Sequence, residues 1–78
     1  MFFTDCHFEY VKKFIDHTYE QQKELLSDPK FSKDYIDKVK FGTMTYCTGY
    51  VVALGNFHVL SNGAQKVLEE YITKRSRE

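Results

Sequence analysis

The sequence predicts an α+β domain, ordered helix, helix, strand, strand, helix, with the helices packed on one face of a small antiparallel hairpin sheet. Three observations lead there. Apolar residues recur at helical spacing through the first forty positions and again after Ser61. Between these regions, Phe41 to Gln65 contains no Asp, Glu, Lys or Arg, in a chain that is 28% charged overall. Within that stretch two apolar arms, Val51 to Leu54 and Phe57 to Leu60, flank Gly55-Asn56, a dipeptide suited to a two-residue hairpin loop.

The first helix is expected from Thr4 to Ser27. Phe8, Val11, Ile15, Tyr19 and Leu26 form its apolar stripe, widened by Phe14 and Leu25, and charged residues fill much of the rest. Thr4 is placed to cap its start, with Phe3 and Phe8 as a hydrophobic staple. Asp28-Pro29 then stops the chain and restarts it, Asp28 capping a second helix whose first position suits Pro. That helix is expected to reach Lys40, with Phe31, Tyr35, Ile36 and Val39 on its apolar side and Gly42 ending it. Lys30 with Asp34, Lys33 with Asp37 and Asp34 with Lys38 stand four apart on the wet side, each pair contributing a few tenths of a kcal/mol.

Residues 43–54 carry two readings. Thr43, Thr45, Tyr46, Thr48, Tyr50, Val51 and Val52 favour a strand, because branched and aromatic side chains pack well on a pleated surface. The hairpin would then show one bulky face of Tyr50, Val52, Leu54, Phe57 and Val59, and a lighter one of Val51, Ala53, His58 and Leu60. The alternative is an all-α four-helix bundle, in which Met44, Cys47, Val51 and Leu54 mark a helix ended by Gly55. Gly49 and the β-branched content weigh against it. A last helix follows, capped by Ser61 or Asn62, with Asn62 and Gln65 set like a capping box. Ala64, Val67, Leu68, Tyr71 and Ile72 form its buried stripe, and Lys74, Arg75 and Arg77 complement its dipole.

With 78 residues the chain is read as one domain, 1–78, whose core is small enough that a second copy or a partner would help it. Eleven acidic and eleven basic residues cancel, so no global field draws in nucleic acid or an anionic membrane. The amino terminus carries no basic region with a long apolar run, and no apolar run approaches the ~20 residues that span a bilayer. A cytoplasmic protein with reduced cysteines and no membrane association is the expectation.

Enzymatic chemistry finds little support. Cys6, His7, Cys47 and His58 are metal-ligating types, but the paired spacing of a structural zinc site is missing. No glycine-rich phosphate loop or nucleophile motif occurs, and Asp16, His17 and Glu20 read as surface charge rather than a proton-transfer group. No catalytic residue, metal or cofactor is therefore assigned. The expected function is a small non-enzymatic protein-binding regulator or inhibitor, an accessory or phage-type protein and a homodimer. It would act through the uncharged hairpin surface, with Tyr46, Val51, Ala53, His58 and Leu60 as contacts. The alternative is a nucleic-acid-binding regulator that touches phosphate with Lys66, Lys74, Arg75 and Arg77 of the basic C-terminal helix.

Overall fold

The computed structural model describes residues 2–78, with side chains from His7 onward. Among the described residues three helices form: α1 (Phe2–Leu25), α2 (Lys33–Asn56) and α3 (Asn62–Ser76). No strand occurs among the described residues, so the α+β hairpin is overturned and the all-α alternative holds, with three helices in place of four. Phe14 of α1 lies against Tyr46 and Tyr50 of α2, ring centroids 5.9 and 4.5 Å apart. Tyr19 of α1 donates its hydroxyl to the Ile72 carbonyl of α3 at 3.4 Å. The helices thus run up, down and up.

The second helix is where expectation and structure part. Met44, Cys47, Val51 and Leu54 do lie on one face of a single helix that begins at Lys33 and passes through Gly42, the residue expected to end it. A β-branched residue costs a helix less than ~0.7 kcal/mol, whereas fully burying a valine contributes about 1.5–3. Cys47 and Val51 are completely buried with Val11, Ile15, Tyr19, Leu60, Leu68 and Ile72. An isolated two-stranded hairpin has no comparable core to offer. Packing therefore decides against local propensity. Thr43 fits by returning its hydroxyl to the Val39 carbonyl at 3.0 Å, one turn back.

Caps sit where side-chain chemistry places them. Asp28 accepts from the Lys30 amide at 3.0 Å and closes a turn over Pro29; it does not start the helix. Ser32 caps α2 by accepting from the Tyr35 amide at 3.2 Å, and Ser61 caps α3 by accepting from Ala64 at 3.1 Å. Gln65 bonds forward to Glu69, so Asn62 and Gln65 form no capping box. Because α1 begins at Phe2, Thr4 stands inside its first turn; the side chains of Phe3 and Cys6 lie outside the described residues.

Gly55-Asn56 is a helix end rather than a hairpin loop. The Val59 amide donates to the Leu54 carbonyl at 2.9 Å and the His58 amide to Gly55 at 3.0 Å, the two crossed bonds of a Schellman motif. The left-handed position is taken by His58, with φ of 62°, where glycine is usual. A Cβ added at Gly55 would fall 1.8 Å from the amide end of the Gln65 side chain, which would have to turn aside. The turn drops Leu60 into the core, 3% exposed.

The bundle is long and thin, 46 by 17 by 17 Å. Lys40 lines the same groove as Leu26, at the end of α1, and Glu78, at the end of α3. The first two turns of α2 therefore reach past both neighbouring helices, accompanied only by the 26–32 linker, whose Phe31 stacks on Tyr35 at 4.6 Å. No helix among the described residues is long and apolar enough to cross a membrane.

Candidate protein-binding surface

Continuity of α2 changes which residues share a face. Read along one helix, Tyr35, Val39, Gly42, Tyr46, Gly49 and Ala53 recur at alternating steps of four and three, the spacing of a helix–helix seam. This row lies outside the core. Tyr35 is 41% exposed and Tyr46 60%, Gly42, Gly49 and Ala53 are exposed, and Val39 is half-buried. None of the six carries a charge. On the adjoining flank Tyr10 of α1 is 67% exposed and close enough to Tyr50 to act on its ionisation, and Phe14 fills the space between the helices.

Gly42 and Gly49 have no role that the bundle itself explains. Neither has a positive φ, and a Cβ added to either would meet nothing within 4 Å. Glycine inside a helix costs about 0.8–1 kcal/mol relative to alanine. Two such positions on an exposed face weaken α2 by an amount that no contact within the chain returns. Gly55 makes the contrast, since the Gln65 side chain occupies the place where its Cβ would stand.

The residues expected to form an interface do not share a surface. Val51 is fully buried and Leu60 nearly so, so both are core residues and neither is available to a partner. The correction follows from period: on a strand Val51 and Ala53 point the same way, whereas on a helix they stand 200° apart. Ala53 and Tyr46 do fall on the exposed row. His58 is exposed beyond the end of α2, held by its turn.

The basic residues of α3 also separate. Lys66, Lys74 and Arg77 are exposed, but Arg75 lies across the bundle with its side chain only 14% exposed. Its Nη1 donates to Asp16 Oδ1 at 2.7 Å, Nη2 reaches Glu20 at 3.4 Å, and the guanidinium sits 5.4 Å from the centre of the Tyr19 ring. Tyr71 donates its hydroxyl to the same Asp16 oxygen, and Lys12 lies over the Tyr71 ring. Asp16 and Glu20, read as plain surface charge, are thus the anchors that hold α3 to α1. Burial raises the Tyr71 hydroxyl above its ordinary pKa, and the bond to Asp16 raises it further.

Cys47 is fully buried, and burial pushes its thiol upward, away from the reactive thiolate. Among the described residues no group of three His, Cys, Asp or Glu is placed to hold a metal ion. Compared with family models, curated proteins and solved structures, the chain matches none.

Proposed function

We propose that this chain is a non-enzymatic protein-binding protein whose working surface is the outer face of α2, from Tyr35 to Ala53. One observation carries the reading: an uncharged row that sets Tyr35, Val39 and Tyr46 among Gly42, Gly49 and Ala53, where nothing in the bundle accounts for Gly42 and Gly49. Glycine lets a second backbone approach closely, and tyrosine supplies contact area with little rotamer entropy to lose. A helix laid along α2 meets both needs. The regulator or inhibitor role expected from the sequence is kept, moved from a hairpin to a helix face.

Site-specific photocross-linking in the cell of origin tests it. A photoreactive residue at Gly49 or Ala53 is expected to give discrete protein adducts, and one at Lys66, exposed on α3, is not. Adducts equally strong at all three positions, or at none, would dismiss the surface.

A further inference from the structure

Which helix fits the row is encoded in its order of large and small residues. We infer that the occupant is the α2 of a second copy, packed antiparallel about a two-fold axis that crosses the exposed row at the level of residue 44; the inference rests on the reading of α2 as a binding face. In such a pair, positions whose numbers sum to 88 face one another. Tyr46 then meets Gly42 of the second copy, Val39 meets Gly49, and Tyr35 meets Ala53, each layer occurring twice by symmetry. Every large residue meets a small one.

No neighbouring arrangement does this. A parallel pair sets Tyr46 on Tyr46 and Gly42 on Gly42, so bulk opposes bulk and a gap opposes a gap. Sliding the antiparallel pair one heptad either way matches Gly42 with Ala53, leaving a void, or Tyr35 with Tyr46. Isologous contact requires this kind of self-complementarity, and the row has it in one register.

Charge and area agree. The flanks of the same register bring Ile36 beside Tyr50 of the second copy, Thr43 beside Thr43, Thr45 beside Thr45 and Lys38 beside Val52, so no like charges oppose one another. Lys38 is already paired with Asp34 of its own chain at 3.4 Å. The exposed portions of Tyr10, Tyr35 and Tyr46 amount to roughly 350 Å² per copy for rings that bury 150–250 Å² each. That is more than half of the ~600 Å² per side at which specific interfaces begin. The overhang of α2 also gains a use, because residues 33–39, which extend past α1 and α3, would lie against residues 49–55 of the other copy.

Sedimentation equilibrium of the full chain, with pulsed electron resonance on a spin label at Lys33→Cys in a Cys6→Ser background, tests the assignment. A monomer–dimer equilibrium in the micromolar range is expected. The label-to-label distance should be near 35 Å, because 22 residues of helix rise, at ~1.5 Å each, separate the two labels along the axis. Gly42→Gln should weaken the dimer by about tenfold to a hundredfold through overpacking against Tyr46. It should also raise the melting temperature of the dilute, monomeric chain by about 2–5 °C, since glutamine is the better helix former. That gain separates a lost interface from a lost fold. A chain that stays monomeric at several hundred micromolar, a dimer indifferent to Gly42→Gln, or a label distance under ~20 Å would each overturn the antiparallel pair. Photocross-linked adducts from Gly49 at masses other than twice the chain's own would defeat the second copy and leave the α2 face standing; absence of adducts would remove both.

Discussion

Replacing Arg75 with methionine tests whether α3 is fastened by its basic tail or merely carries it. The substitution keeps an unbranched stem over Tyr19 and removes the charge, so it acts mainly on the ion pairs. The Asp16 contact, at 2.7 Å and sheltered on the arginine side, belongs with hydrogen bonds to charged groups, about 1.5–3 kcal/mol. The Glu20 contact is longer and its carboxylate 60% exposed, so it adds about 0–1 kcal/mol at most. Asp16 keeps the Tyr71 hydroxyl after the change and is not stranded, which holds the loss near 2 kcal/mol. For a chain this short that corresponds to a fall of about 8–16 °C in melting temperature. Helix ellipticity followed through thermal and urea melts at pH 7 and one fixed concentration measures it, with Lys74→Met and Arg77→Met as exposed controls expected within about 0.5 kcal/mol of the parent. If Arg75→Met behaves like those controls, the network does not fasten the helices and Arg75 returns to the set of free surface cations.

Three further outcomes follow from the same packing. His58→Gly should stabilise the chain by about 1 kcal/mol, because glycine adopts the left-handed cap conformation without the strain a histidine carries; a neutral or negative change in urea midpoint would mean that His58 is held by more than its turn. Ser61→Ala should cost about 1 kcal/mol by leaving the Ala64 amide unpaired, read as a lower urea midpoint with an unchanged slope. Stability should also fall in alkali, because burial raises the folded-state pKa of Cys47 above its ordinary 9.0 and of Tyr19, Tyr50 and Tyr71 above 10.0. Groups with raised folded values contribute fully below their unfolded pKa and lose that contribution as pH climbs through the folded one, so the urea midpoint should fall from about pH 9 upward. A flat midpoint between about pH 8 and 11 would contradict the burial of these side chains.

The outer helices were legible because local and global signals agree there. Val11, Ile15 and Tyr19 in α1, and Leu68 and Ile72 in α3, stand at helical spacing with polar residues between them, and all five are buried. Ser61 was readable as a cap for the same reason. The middle of the chain misleads because its local signals conflict with its period: Thr43, Thr45, Thr48, Val51 and Val52 favour extended backbone, and Gly55-Asn56 mimics a hairpin turn. The period of Met44, Cys47, Val51 and Leu54 was the better guide, since it fixes which residues the neighbouring helices can cover. Gly42 is then a false stop. Gly42 interrupts nothing, and the residue that does turn the chain, His58, is of a type that seldom takes that conformation.

The exposed row of α2 is hidden by the same conflict. Treated as the end of one helix and the start of a strand, Tyr35, Gly42 and Tyr46 belong to different elements and share no face. On one helix they fall into line, and Val51, set among contacts by the strand reading, rotates into the core. Conflict between local propensity and global packing tends to collect where a chain does something besides fold. Here α2 accepts three glycines and several threonines although alanine or glutamine would make the lone helix firmer. The core accounts for Cys47 and Val51, and the Gln65 side chain fills the place of a Cβ at Gly55. A backbone brought close from outside would account for Gly42 and Gly49, and of the pairings that α2 can make with itself, the antiparallel one centred level with Met44 gives every tyrosine on the row a small residue to cover.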